Sequence, residues 1–141
     1  MEEYTTHSAA ETEALAEKLA GCLVSGTVLA MRGGLGAGKT AFVRGLARGL
    51  GIQADVTSPT FALVHEYAGG GCTLYHFDMY RVTDWDALYS TGFFDYLDTG
   101  AVMAVEWSEN IEEFLPPGAV TVTIEPLGGD VRRIALEGGA F

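Results

Sequence analysis

The run Gly33-Gly34-Leu35-Gly36-Ala37-Gly38-Lys39-Thr40 constrains this chain more than any other feature. It is a complete G-x-x-x-x-G-K-[ST] motif, which works in one setting: a strand before it and a helix after it. Both are present. Thr27-Val28-Leu29-Ala30-Met31 is a short continuous apolar run, suited to a strand buried on both faces of a parallel sheet. From Lys39-Thr40-Ala41 onward, a helix to about Leu50 places Phe42, Val43, Leu46 and Leu50 on one face, with Gly51 at C′.

The chemistry follows from that geometry. Backbone amides of Gly33, Gly34, Leu35, Gly36, Ala37 and Gly38 can turn inward into an anion-binding nest. The helix that starts near Gly38 adds the positive end of its dipole. Lys39 supplies a point charge for the β and γ phosphates of ATP or GTP, and Thr40 offers its hydroxyl to Mg²⁺.

Such a site also needs an acid at the end of a neighbouring strand. Two segments qualify. Leu74-Tyr75-His76-Phe77-Asp78 ends in Asp78, and Val102-Met103-Ala104-Val105-Glu106 ends in Glu106. The residues alone do not divide the roles between them. Trp107 either stacks on a base or fills core, with core favoured, and His76, flanked by aromatics, reads as a structural histidine. Thr60, after the Ser58-Pro59 break, either closes over the γ-phosphate as switch loops do or is an ordinary loop threonine.

The remaining pattern is α/β: a P-loop-type three-layer fold, with a parallel core and antiparallel hairpin additions, in one domain spanning 1–141. Ser8-Ala9-Ala10-Glu11 is a capping box, followed by a helix to about Ala20 with Ala14, Leu15, Leu19 and Cys22 facing inward. Strands are expected from Phe61 to Tyr67 and Cys72 to Phe77 around a glycine turn. Asp84 caps a short helix through Tyr89 that Gly92 ends. Ala101 to Val105 is a further strand, and Val120 to Ile124 with Val131 to Leu136 forms a terminal hairpin.

Charge narrows the partners. Nineteen acids against eight bases give −11, a surface that repels a phosphate backbone, so direct binding of RNA or DNA is not expected. The few bases gather at Lys39, Arg44 and Arg48, and Arg44 with Arg48 offers a candidate docking face. Cys22 and Cys72 belong to no CxxC, and both are expected to be buried in a reducing cytoplasm. No apolar run approaches a membrane span, and the acidic N-terminus is unlike a targeting segment, so no membrane role is expected.

Taken in order, Gly33 to Thr40, Arg44-Gly45-Leu46, Ser58-Pro59-Thr60-Phe61, Tyr75-His76-Phe77-Asp78-Met79-Tyr80-Arg81 and Val105-Glu106-Trp107 resemble the bacterial TsaE (YjeE) ATPases. The resemblance covers about residues 6 to 136. It implies an accessory role in forming threonylcarbamoyladenosine beside the anticodon of tRNAs that read codons starting with A. A member of that family binds ATP and Mg²⁺, docks on a TsaD–TsaB complex that holds the tRNA, and resets it by hydrolysis. Carried to matching positions, Thr40 and Glu106 would ligate Mg²⁺, Lys39 would hold phosphate, and Asp78 would be the Walker B-like acid. Trp107 would stack near adenine, Arg132 would lie near the nucleotide, and Thr6 and Thr12 would contact the base. The family usually has an acid where this chain has Gly34, which bears on rate rather than binding. The preference for ATP over GTP comes from the resemblance alone. Two other readings stay open: a small-molecule kinase on the same loop, and a nucleotide-gated binding module with negligible turnover.

Overall fold

The computed structural model describes residues 2–34, 36–57 and 63–138. Seven strands form one mixed sheet: β1 (Glu2–Thr6), β2 (Val28–Arg32), β3 (Val64–Gly69), β4 (Cys72–Asp78), β5 (Val102–Glu106), β6 (Val120–Gly128) and β7 (Val131–Glu137). Their spatial order is β1-β7-β6-β2-β5-β4-β3. Strands β6, β2, β5 and β4 run parallel to their neighbours within that set. Antiparallel hairpins extend both sides: β3 on β4, and β7 with β1 on β6. The expected parallel core with hairpin additions is therefore the observed one.

Helices α1 (Ala9–Ala20) and α2 (Lys39–Gly49) cover one face, packing on Leu29, Met31, Leu74, Val102, Val122 and Ile124. The short helices α3 (Trp85–Ser90) and α4 (Phe93–Leu97), with a 3₁₀ segment at Ser108–Phe114, cover the other face over Val28, Tyr75, Phe77, Met103 and Val105. Strands β2 and β5 are apolar up to their last residues, Arg32 and Glu106, because both of their faces are covered. Strand β6 alternates buried and half-exposed residues from Val120 to Ile124, because helices cover it on one side only.

Capping residues behave as their chemistry requires. Ser8 Oγ accepts from Glu11 N–H at 3.0 Å, and Asp84 Oδ1 accepts from Ala87 N–H at 2.8 Å. Glu11 reaches back one residue further than a capping box would, accepting from His7 N–H at 3.0 Å.

Several expectations need correction. Helix α1 buries Thr12, Ala16, Leu19 and Ala20, while Ala14 and Cys22 are exposed and Leu15 is half-buried. The cause is the seam with α2. A Cβ on Gly45 would lie 2.1 Å from Glu13 O, and one on Gly49 would lie 2.4 Å from Glu17 O. The backbones approach so closely that only the small Ala16 and Ala20 fit there, and this sets the rotation of α1. Cys72 is half-buried, so neither cysteine is a core residue. Gly92 ends α3 as expected, following its C-cap Thr91 and donating to Tyr89 O at 3.2 Å, but at φ 80° it is also the N-cap of the unexpected α4, which buries Phe93 completely. Strand β1, α4 and the 3₁₀ segment were not expected from the sequence. No helix among the described residues is long and apolar enough to cross a membrane.

Candidate functional site

The parallel strands bring three sequence features to one edge of the sheet. The glycine loop leaves the end of β2, Asp78 ends β4 and Glu106 ends β5. In open α/β sheets the carboxyl ends of the strands are where ligands bind. Asp78 and Glu106 are register partners, so their side chains leave the sheet on one face. Leu74, four residues before Asp78, and Ala104, two before Glu106, share that face and pack under α1 and α2, so it is the side from which α2 starts. Both acids are 4% exposed.

The loop itself is shaped for an anion. Gly38 precedes α2 with φ 104°, and Gly33 has φ 149° with its Cβ position 2.7 Å from Ile124 O, so neither tolerates a side chain. The carbonyls of the loop are taken up elsewhere. Arg132 donates from Nε to Ala37 O at 3.0 Å and from Nη2 to Gly36 O at 3.2 Å. Lys39 Nζ donates to Gly33 O at 2.7 Å. Ala37 N–H is used inside the loop, donating to Gly34 O at 3.2 Å, and carbonyls held in this way turn the remaining amides toward the place of a phosphate.

Lys39 is the centre of the arrangement. Its ammonium is 5% exposed, 3.7 Å from Glu106 Oε1 and 4.4 Å from the centroid of the Trp107 ring. An ammonium this buried requires a counter-charge, and Glu106 supplies it. Trp107, at φ 56°, is half-buried, with one side on the core under α3 and α4 and its ring against both Lys39 and Tyr80. It is thus a site residue as well as a packing residue. His76 Nε2 hydrogen-bonds Glu106 Oε2, so the histidine read as structural touches the candidate metal ligand. The signal was present in its placement two residues before Asp78, on the face that the strand-end acids share. Asp78 Oδ1 accepts from Tyr80 N–H at 2.8 Å, and Met79 N–H donates to Glu106 O at 3.0 Å, which ties the two strand ends together. Ser108, buried in the 3₁₀ segment, donates to Met31 O at 3.1 Å and braces the strand that feeds the loop.

Thr40 is half-buried in the first turn of α2. Thr6 pairs in register with Arg132, and its hydroxyl is 2.7 Å from that of Thr12, which places both threonines behind the arginine that holds the loop. Leu35 and Thr60 lie outside the described residues. Arg44 and Arg48 do not form an open basic face. Arg44 Nη1 is 3.4 Å from Glu13 and Arg48 Nη1 is 3.1 Å from Glu13, and Arg48 also bonds Glu17. By accepting hydrogen bonds from it, Glu17 and Glu13 hold the Arg48 guanidinium above its usual range. Both arginine side chains remain exposed, at 44% and 50%, while pairing across the α1–α2 seam.

A glycine loop between a buried parallel strand and a helix, with acids at the next strand ends, defines a P-loop nucleoside-triphosphatase fold. Residues 6–134 match the family model of the threonylcarbamoyl adenosine biosynthesis protein TsaE, and the chain belongs to that family. It is similar to the tRNA threonylcarbamoyladenosine biosynthesis protein TsaE of Bacillus subtilis, with 42% identity over 126 residues, 89% of this chain and 78% of that protein. The protein of the same name from Treponema pallidum is 40% identical over 114 residues, 81% of this chain and 84% of that one. That of Aquifex aeolicus is 38% identical over 138 residues, 96% of each. The crystal structure of Bacillus subtilis YdiB superposes with a TM-score of 0.83 at 36% identity, covering 97% of this chain and 84% of that one.

Proposed function

We propose that this chain is a Mg²⁺-dependent ATPase that serves threonylcarbamoyladenosine biosynthesis in tRNA by acting on a TsaD–TsaB complex. One observation carries the reading: Lys39 Nζ stands at the head of α2 between Gly33 O and Glu106 Oε1, where β and γ phosphates of a nucleotide would replace the carbonyl as its partner. The donors present suit Mg²⁺, a hard cation: the Thr40 hydroxyl and the Glu106 carboxylate, with Asp78 beside it. Among the described residues no group of three or more His, Cys, Asp or Glu side chains could enclose a metal by themselves. Mg²⁺ bound mainly through substrate phosphates and one or two side chains needs no such cage. When bound, it would neutralise charge on the phosphates.

The chain's own groups do the rest. Lys39 and the loop amides orient the phosphates, Trp107 offers an aromatic face beside Lys39, and Asp78 serves turnover. The tRNA would be held by the partner, consistent with a net charge of −11 here. A kinase reading is less well supplied. Arg32 pairs with Glu112, Arg132 with the loop and Arg133 with Glu125, so few cations are left for a lid over transferred phosphate.

ATP hydrolysis by the purified protein, with and without TsaD–TsaB, tests the proposal, with Lys39→Ala as control. Hydrolysis should require Lys39 and change when the partner is added. Hydrolysis indifferent to the partner would remove the accessory role.

A further inference from the structure

The His76 imidazole takes no part in the chemistry above, yet it is wholly buried and bonds the candidate metal ligand. Its Nδ1 has no hydrogen-bond partner among the described residues. A core-filling side chain in this place would gain nothing from a bare ring nitrogen, and leucine or phenylalanine would fill it without that cost. A carboxylate accepts and never donates when ionised, so the tautomer here carries its hydrogen on Nε2. The terminal torsion of a glutamate is broad and two-fold, and leaves its oxygens free to exchange unless something holds one. On Glu106, Oε2 is held by His76 and Oε1 is the oxygen facing Lys39.

We infer that His76 is a positioning residue, which clamps Oε2 of Glu106 so that Oε1 stays turned toward Lys39 and the phosphate loop. The inference rests on Glu106 being the Mg²⁺-holding acid. Groups that orient a metal-binding carboxylate in this way typically change metal affinity about 10- to 100-fold when removed.

The test compares His76→Gln with His76→Asn. Glutamine carries its amide nitrogen at the reach of imidazole Nε2, and asparagine at the reach of Nδ1. Trp107 fluorescence would be titrated first with ATP alone, then with Mg²⁺ at fixed ATP, alongside a melting curve for each variant. The Mg²⁺ concentration for half-saturation should rise about tenfold or more in the Asn variant and stay near the wild-type value in the Gln variant. ATP affinity without metal should be alike in all three. If the Asn variant does not fold, His76→Met, apolar and of similar reach, takes its place with the same expected rise. Gln and Asn variants with equal Mg²⁺ requirements, beside a normal wild-type response, would overturn the inference alone. A wild-type chain with no Mg²⁺ response would remove the assignment of Glu106, and the inference with it.

Discussion

Replacing Gly45 by alanine should destabilise this protein by about 2 kcal/mol, although the same change in an open helix stabilises by about 1 kcal/mol. The difference lies in the seam between α1 and α2. An alanine Cβ at position 45 would sit 2.1 Å from the backbone oxygen of Glu13 and 2.9 Å from the Ala16 Cβ, where ordinary contact begins at 3.4 Å. The obstacle is main chain, so no rotamer relieves it, and the two helices must separate by roughly 1 Å. A gap of that size forfeits a quarter to a half of each dispersion contact across the seam, and overpacking of this kind costs up to about 3 kcal/mol. Subtracting the gain in helix propensity leaves about 2 kcal/mol, or roughly 8 °C in melting temperature for a domain of this length. The shift bears on function, because α2 carries Lys39 and Thr40 at its start. Thermal melts followed by circular dichroism would read it, with Gly34→Ala as the control, since a Cβ on Gly34 meets nothing within 4 Å. A Gly45→Ala variant that melts at or above the wild-type temperature would show that the close approach does not hold these helices.

Glu106→Gln and Asp78→Asn should each retain ATP binding while partner-dependent hydrolysis falls at least tenfold; binding and hydrolysis lost together would instead mean that both acids shape the pocket. Arg132→Ala removes the donors that hold Gly36 O and Ala37 O, so it should cost about 1–2 kcal/mol of stability and weaken ATP several-fold, as read by Trp107 fluorescence. An unchanged affinity would mean that the loop keeps its shape unaided. Gly34→Glu supplies the acid usual in the family at a position with open space, so stability should stay within about 0.5 kcal/mol and the effect should appear in turnover rather than in affinity. A fall of several degrees in melting temperature would contradict that placement.

Much of the site could be read along the chain because its parts are local. The loop is one run of eight residues, and its strand and helix adjoin it. Asp78 and Glu106 were visible as acids that end apolar strands. What stayed hidden depended on who neighbours whom. The pairing of β4 with β5, which brings His76 to Glu106, links residues 30 apart in sequence. Trp107 was favoured as core, and its contact with Lys39 arises from a left-handed backbone at the end of β5. Arg44 and Arg48 looked like an open basic face until α1 set Glu13 and Glu17 against them. Strand β1, polar and short, becomes a strand only through the hydrogen bonds that β7 offers it.

The sequence by itself therefore determined the phosphate loop, the apolar strands behind it and the class of chemistry they support. These follow from glycine's backbone freedom, from hydrophobic periodicity and from charge, all of which act over a few residues. Only the tertiary structure decided which acid faces Lys39, which residue holds that acid, and which cations remain for a ligand. Those outcomes depend on strand order and helix rotation. Both are set by contacts between distant segments, here above all by β5 lying between β2 and β4 and by the glycine seam of α2 against α1.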